Sequence, residues 1–132
     1  MNLASKIAKN DVNALILKNI KIIVNMYISD FQKRVYALAK RIPAGRVSSY
    51  GQLARALGKK QSSRAVGQAL KRNPLAPAVP CHRVILSSGD LGGFQSGPKK
   101  KAQRLRKEGV MVINNKIDLS RYGYTFPPKK QS

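Results

Sequence analysis

Cysteine, histidine and glutamate each occur once in this chain of 132 residues, as Cys81, His82 and Glu108. All three residue types take part in nucleophilic catalysis. A thiol becomes a strong nucleophile when it loses its proton, and a neighbouring histidine is the usual base. A carboxylate can then orient the imidazole and stabilise its protonated form. The three residues therefore predict a cysteine nucleophile that a histidine–glutamate pair activates.

Each of these residues also has a purely structural interpretation. A single buried cysteine commonly packs as a small apolar residue, and a lone histidine is more often structural than catalytic. A lone glutamate can pair with a basic residue on its own helix, here Arg104 or Lys107. Position favours chemistry, because Cys81-His82 follows residues 73–80, whose three prolines predict a rigid, extended segment. Neighbouring side chains in extended backbone point to opposite faces, so we expect a bridging water between Cys81 and His82 unless the chain turns there.

Positive charge dominates the composition. The chain has 26 lysines and arginines against 5 acidic residues, which gives a formal net charge of +21. Repulsion among these charges does not stabilise the modest hydrophobic core of a single domain. The excess of positive charge therefore indicates a polyanionic partner. Nucleic acid is the first candidate, an anionic membrane surface the second and a ribosomal type of structural role the third.

The sequence offers no pattern for export, membrane insertion, zinc binding or oligomerisation. No apolar run reaches the roughly 18 residues of a membrane-spanning helix, and no signal peptide is recognisable. One cysteine cannot form an internal disulfide, so we expect a free thiol. With no export signal we expect the protein in the cytoplasm or the nucleoid, and we expect it to be a monomer. Cys81 and His82 are the sole residues of their types, which argues against a four-ligand zinc site.

The elements around the catalytic candidates are predicted to be mainly α-helical, with small β elements. Asp30 and the pair Ser48-Ser49 can each cap a helix, and Gly58 can close the second of these. Ser62 or Ser63 can cap a third. The predicted helices cover residues 31–41, 50–57 and 63–72. The last two are short and joined by a tight turn, which predicts a helix-turn-helix.

The helix predicted over residues 63–72 carries small side chains with basic ones on either side of them. The small ones would let the backbone approach another surface closely, and the basic ones flank them. A packing face in an ordinary helical hairpin is the alternative, but the charge favours DNA contact. The residues concerned are Arg64, Ala65, Gly67, Ala69, Lys71 and Arg72.

A strand, a glycine-rich loop, a basic helix and a β-hairpin are predicted after the cysteine. Pro98 suits the first turn of that helix, and alternation about Asn114-Asn115 indicates the hairpin. The four ranges are, in that order, 83–86, 92–97, 98–107 and 110–119.

The same residues resemble the O6-alkylguanine-DNA alkyltransferases over about residues 31–124. The signature of that family, Pro-Cys-His-Arg-Val, stands at residues 80–84. Shorter matches surround it at the family's intervals: Ile42-Pro43-Ala44-Gly45, Ser49-Tyr50-Gly51-Gln52-Leu53-Ala54, Ser63-Arg64-Ala65-Val66-Gly67, Asn73-Pro74 and Leu105 through Gly109.

Three regions are implied by this resemblance. Residues 30–126 would form a winged helix-turn-helix-like alkyltransferase domain. Residues 1–29 would be a short segment in which the family's N-terminal domain is reduced or missing, and residues 127–132 would be a tail. From its own residues, the N-terminal segment is predicted to form a helix, or a helix and a strand.

The resemblance also implies a reaction. Such a protein would move an alkyl group, typically methyl, from O6 of guanine in duplex DNA irreversibly to Cys81, once per molecule and without a cofactor or metal. His82 would activate Cys81 through a water, and Glu108 would hold His82. Tyr50 would donate a hydrogen bond to the departing guanine, and Asn73 would brace the segment before the cysteine.

The implied partner is double-stranded DNA that carries O6-alkylguanine, with the helix-turn-helix in its minor groove. Arg64 would enter the base stack as a finger, which offsets part of the cost of extruding the damaged nucleotide. The implied DNA-binding residues are Tyr50, Ser63, Arg64, Ala65, Gly67, Lys71 and Arg72. The implied pocket residues are Tyr50, Val84, Phe94, Gln95 and Ser96.

Some features leave the function open at this point. Phe94 and Gln95 stand where tyrosine and serine are common in the family, so the width of the pocket is undecided. A non-enzymatic alkyltransferase-like protein would bind alkylguanine, but such proteins carry another residue in place of the cysteine. An architectural DNA-binding protein would be indifferent to base damage, and a cysteine hydrolase would leave the basic helix-turn-helix unexplained.

Overall fold

The computed structural model describes residues 14–20, 22–23, 26, 28–58, 62–94 and 96–127. The chain divides into two compact units, Met1–Asp30 and Phe31–Ser132. In the first unit residues 14–20 are helical, while residues 1–13 of the predicted N-terminal segment lie outside the described residues. Among the described residues, no helix combines the length and apolar character that crossing a membrane requires.

The remainder of the described chain is mainly helical with small β elements, as predicted. Its α-helices are α1 (Asp30–Arg41), α2 (Tyr50–Leu57), α3 (Ser63–Lys71), α4 (Pro98–Lys107) and α5 (Leu119–Tyr122). A single 3-10 turn covers Cys81–Arg83. Strands β1 (Ser48–Ser49) and β2 (Val84–Ile85) pair in parallel, Ser48 with Val84 and Ser49 with Ile85.

Local capping explains where the two helices of the helix-turn-helix begin and end. The Ser49 hydroxyl accepts a hydrogen bond from the Gln52 amide at the start of α2, and Ser62 does the same for Ala65 at the start of α3. Gly58 ends α2 with a positive φ of 74°, a conformation that favours glycine. These boundaries confirm the helices predicted over residues 50–57 and 63–72.

Apolar residues just before β1, in β2 and α4, and on either side of α4 form one core cluster. Ile85 and Leu105 are fully buried within it, so the strand after the cysteine packs on the helix that ends at Lys107. This packing fixes α4 against the segment that carries Cys81. The cluster comprises Val47, Ile85, Leu91, Ala102, Leu105, Val110, Val112 and Ile117.

One backbone prediction before the cysteine is wrong in form. Residues 73–80 avoid helix as expected, but residues 74–78 make turns instead of an extended chain, and the Val79 amide donates to the Leu75 carbonyl at 3.0 Å. The chain turns at Cys81-His82, the alternative that the sequence left open. Two neighbouring side chains in a 3-10 turn need not point to opposite faces.

The β-hairpin predicted over residues 110–119 is reduced to one bridge, between Ile113 and Lys116. Asn114 and Asn115 do form its turn, with positive φ values of 51° and 59°. The flanking residues bond elsewhere, because the Leu91 amide donates to the Asn115 carbonyl and the Ile117 amide donates to the Gly89 carbonyl. Helix α5 was not predicted.

Candidate active site

Cys81 lies on the wall of a cavity of about 580 Å³. The residue is only 7% exposed, and it is a free thiol. A volume of this size falls in the range of small-molecule sites, which is roughly 300–1,000 Å³. The lining residues are Tyr50, Ser63, Arg64, Gly67, Leu70, Lys71, Cys81, Leu86, Gly93 and Phe94.

His82, next to the thiol, is held by Glu108. The imidazole Nε2 lies 2.9 Å from Glu108 Oε1, and the His82 side chain is 5% exposed against 18% for Glu108. Arg83 donates hydrogen bonds to the same carboxylate: its Nε lies 3.0 Å from Oε1, and its terminal nitrogen is in close contact with Oε2. Arg83 also donates to the Ile42 carbonyl at 2.8 Å. The carboxylate is thus fixed from two sides.

These contacts set the protonation of the His82–Glu108 pair. Burial raises the pKa of Glu108, but hydrogen bonds from Arg83 and His82 outweigh it and hold that pKa below its usual value. Burial lowers the pKa of His82 below its ordinary 6.5, and the bond to Glu108 only partly opposes this. At pH 7 the carboxylate is ionised and the imidazole neutral.

The tautomer of His82 follows from that charge state. An ionised carboxylate can only accept, so Nε2 of the neutral ring must carry the proton and donate to Glu108. The Nδ1 atom is then the basic nitrogen. It is buried and has no hydrogen-bond partner among the described residues. The neighbour of the thiol therefore has a lone pair available to take up a proton.

Tyr50, the first residue of α2, is positioned by two glycines. A Cβ atom at Gly67 would lie 3.8 Å from its ring, and one at Gly92 would lie 3.3 Å from its Cε2 atom and 3.4 Å from its hydroxyl. Gly92 has a φ of +73°, which side chains rarely adopt. Burial raises the pKa of Tyr50, so the phenol keeps its proton and can donate it in a hydrogen bond.

Lys101 is a buried cation that the sequence prediction missed. Its side chain is fully buried, and its Nζ atom donates to the carbonyls of Val84 at 2.8 Å, Leu91 at 2.5 Å and Gly93 at 3.1 Å. The Tyr50 hydroxyl lies 3.5 Å away. Burial lowers the pKa of Lys101 to about 8. One ammonium group thereby ties β2 to the glycine-rich loop.

Asn73 lies before the cysteine and is 3% exposed. Its side-chain amide donates to the Val79 carbonyl at 2.9 Å, and its Oδ1 atom accepts from the Leu75 amide at 2.9 Å. Both bonds close the turns over residues 74–78. The asparagine therefore shapes the segment that leads directly into Cys81.

The remaining candidates are distributed unevenly around the cavity. Of the residues proposed for DNA contact, Ser63, Arg64, Gly67 and Lys71 line it together with Tyr50, whereas Ala65 and Arg72 are not among the lining residues. Of the proposed pocket residues, Tyr50 and Phe94 line it. Val84 is fully buried and Ser96 is exposed, and neither lines the cavity. Gln95 lies outside the described residues.

Some functional candidates carry only a weak signal in the sequence. Arg83 belongs to the Pro-Cys-His-Arg-Val motif, and its place in that motif could have identified it as a site residue. Lys101 stands seven residues before Glu108 and thus on the same face of α4, but nothing distinguishes it from the lysines beside it. The described residues contain no group of three or more His, Cys, Asp or Glu side chains arranged to hold a metal ion.

Several known proteins are similar to this chain in sequence. The family described as 6-O-methylguanine DNA methyltransferase, DNA binding domain, matches residues 30–110. The bifunctional methyltransferase/endonuclease of Picrophilus torridus is 43% identical over 95 residues, covering 72% of this chain and 32% of that protein. The methylated-DNA--protein-cysteine methyltransferase of Salmonella typhimurium is 45% identical over 83 residues, covering 63% and 48%. The chain thus spans about a third to a half of the length of these relatives.

One solved structure is similar over nearly its whole length. It is S. pombe Atl1 in complex with damaged DNA containing O6-carboxymethylguanine, with a TM-score of 0.66 and 35% identity, covering 75% of this chain and 96% of Atl1. The helix-turn-helix, the cysteine turn and α4 all lie within residues 30–110, the part that the family match covers. Because that match extends over more than half of its residues, the chain belongs to the 6-O-methylguanine DNA methyltransferase family.

Proposed function

We propose that this protein repairs alkylated DNA by transferring an alkyl group from O6 of guanine to Cys81. The observation that carries the proposal is a thiol on a base-sized cavity beside a neutral histidine, which an ionised glutamate orients. Relatives named as methylated-DNA--protein-cysteine methyltransferases support the same chemistry. We assign the activity to residues 30–126, acting as a monomer on double-stranded DNA from the minor groove.

The residues divide the reaction between them. His82 Nδ1 takes the proton of Cys81, directly or through a water, and the thiolate attacks the alkyl carbon. The sulfur–carbon bond forms as the carbon–O6 bond breaks, and the electron pair of the broken bond stays on the guanine. A hydrogen bond from Tyr50 stabilises that developing negative charge. A thioether has no easy route to cleavage, so each molecule acts once.

DNA contact is proposed for the α3 side of the cavity. Arg64 and Lys71 are exposed there and supply positive charge next to the thiol. Chemistry on a base inside a duplex requires extrusion of the nucleotide, which costs a few kcal/mol, and an inserted side chain offsets part of that cost. We propose that Arg64 is that side chain. Arg72, Ala65 and Ser63 would contact the backbone nearby.

Intact-mass measurement tests the proposal directly. The protein is incubated with a duplex that contains one O6-methylguanine, and we expect a mass gain of one CH2 group on Cys81. The Cys81→Ala variant should show no gain but should keep its affinity for the duplex. An undamaged duplex of the same sequence is the control.

Binding to damage without transfer is the second candidate function, and the similarity to Atl1 favours it. Tight and selective binding of the O6-methylguanine duplex without any mass gain would establish that function in place of transfer. Equal affinity for damaged and undamaged duplex, with an unreactive thiol, would indicate an architectural DNA-binding protein. That protein should also show log affinity falling with log salt by about 0.9 per phosphate neutralised.

A further inference from the structure

Phe94 forms part of the cavity wall, and the guanidinium of Arg104 lies over its ring. The ring lines the same cavity as the Cys81 thiol. The guanidinium carbon of Arg104 lies 5.3 Å from the centroid of that ring. A separation below about 6 Å is the geometry of a cation–π contact, in which a cation is attracted to the face of an aromatic ring.

Arg104 belongs to a row of side chains that runs along one face of α4 and ends at Glu108, the residue directly after the helix. It follows Lys101 by three residues and precedes Glu108 by four, and residues at this spacing are neighbours on a helix. Lys101 holds the carbonyl of Gly93, the residue before Phe94, and Glu108 holds His82. Three charged groups in this row thus contact three parts of the site: Lys101 the glycine-rich loop, Arg104 the ring of Phe94, and Glu108 the imidazole of His82.

One end of the Arg104 guanidinium lacks a hydrogen bond within the part of the chain that the structure describes. Its Nη1 atom is buried without a hydrogen-bond partner among the described residues. A cation with an unsatisfied buried nitrogen is costly unless another attraction stabilises it. The ring of Phe94 supplies such an attraction to the guanidinium.

We propose that Arg104 is a positioning residue that fixes the Phe94 ring and thereby favours transfer of bulky aromatic O6 substituents over methyl. This inference rests on the proposed function, because it concerns the substrate range of the same cavity. A methyl group on O6 needs only to reach the thiol. A benzyl group extends further and needs a wall that stays in place, since a mobile ring must first be ordered against it.

The experiment compares the transfer rates of two duplexes, one with O6-benzylguanine and one with O6-methylguanine. The ratio of the two rates cancels effects on DNA binding and on thiol activation. We expect Arg104→Leu to lower the benzyl-to-methyl ratio about fivefold, the order of effect of a cation–π contact. Arg104→Lys, which keeps a cation, should restore most of the ratio. Lys107→Leu, an exposed position on the same helix, is the control for lost charge and should leave it unchanged.

A double-mutant cycle decides whether the effect passes through the ring. Phe94→Leu should lower the ratio as Arg104→Leu does, and the double variant should show no further loss. Fully additive losses, or an unchanged ratio in Arg104→Leu, would overturn the proposal. Equal slowing of both substrates would also overturn it, because that result would mean that Arg104 acts on His82 instead.

A second measurement does not depend on transfer at all. The chain contains no tryptophan, so Phe94→Trp introduces into the wall a single tryptophan, which can be excited selectively over the tyrosines. Adding Arg104→Leu to that variant should increase quenching by acrylamide, whereas adding Lys107→Leu should not. If the wild type transferred no alkyl group, the proposed function would fail, yet this readout would still decide the Arg104–Phe94 contact. Quenching that Arg104→Leu leaves unchanged would contradict it.

Discussion

Two of the helices that contribute to the candidate site, α3 and α4, differ in how firmly their side chains are held. From α3, Arg64 and Lys71 reach the cavity as exposed residues. In α4, Lys101 is fully buried and donates to three carbonyl oxygens, and Glu108, directly after the helix, is fixed by both His82 and Arg83. The α4 side is built like a protein interior, and the α3 side like a binding surface.

The difference corresponds to the two tasks of the proposed reaction. Thiol activation needs groups held in place before substrate arrives, because ordering them during the reaction would raise the barrier. Contact with DNA needs long cationic side chains that can adjust to a backbone and insert between bases. The buried side of α3 is nevertheless secured, since the Tyr36 hydroxyl donates to the Ala69 carbonyl at 2.7 Å. Only its outer face is left adjustable.

The largest effect is expected for Glu108→Gln. The amide keeps the shape but loses the charge and one of the two acceptor oxygens, so Arg83 loses its anion and competes with His82 for a single neutral oxygen. We expect the free energy of unfolding to fall by about 3 kcal/mol and the transfer rate to fall by about 100-fold or more. Denaturant unfolding and single-turnover kinetics measure the two losses. Asp90→Asn, at an acid in a more exposed pair, is the matched control.

Lys101→Met should have the next largest effect. The variant leaves three carbonyls without their donor, but it also removes a costly buried charge, so we expect a net loss of about 2 kcal/mol. The exposed neighbour Lys100→Met is the control. A loss in the control as large as that in Lys101→Met would remove the distinction drawn between buried and exposed lysines.

The pH dependence of stability sharpens the test on Lys101. Its folded pKa of about 8 lies below the ordinary 10.5, so between these values the unfolded chain binds more protons than the folded one. The wild type should therefore gain stability relative to Lys101→Met as the pH rises from about 8 to 10.5. A difference between the two proteins that stays constant over this window would contradict the burial of a charged amine.

Gly92→Ala should have a smaller effect on stability, about 1 kcal/mol, because the residue keeps a positive φ that a side chain resists. The added Cβ would crowd the ring and hydroxyl of Tyr50, so we also expect slower transfer. Gly93→Ala is a close control, since a Cβ there would meet no atom within 4 Å. Equal slowing in the two variants would mean that Tyr50 is not the cause.

Arg64→Ala should change the free energy of unfolding least, by less than about 0.5 kcal/mol, because the residue is exposed. Its effect should appear only with duplex substrate, where a base must be extruded. We expect repair of duplex O6-methylguanine to slow about tenfold while reaction with free O6-benzylguanine is unchanged. Comparable slowing on both substrates would place Arg64 with the α4 residues and not with the DNA-binding face.

Elements governed by local contacts could be predicted from the sequence. Helix α2 begins after a serine cap and ends at Gly58, and α4 covers Pro98–Lys107 as predicted from Pro98 and the residues around it. Each signal lies within a few residues of the boundary that it sets. The candidate site was predictable where residue types are scarce, as with Cys81, His82 and Glu108.

Elements governed by distant contacts could not be predicted. The alternating residues 110–119 indicate a hairpin, but residues 115 and 117 bond to the segment 89–91 instead. The role of Lys101 depends on carbonyls 8 to 17 residues away. Arg83 reaches the carbonyl of Ile42, 41 residues earlier. Only the folded chain brings these groups together.

The two-residue pairing of β1 with β2 has a consequence for the spacing of the reacting groups. Tyr50 directly follows β1, and Cys81 lies three residues before β2. The register of the β1–β2 pairing therefore sets the position of the phenol relative to the thiol. One residue inserted between Ser49 and Tyr50 would shift the phenol by about 3.3 Å, the rise per strand residue. That exceeds the reach of a hydrogen bond. Surface loops can change length freely, but these two short junctions cannot.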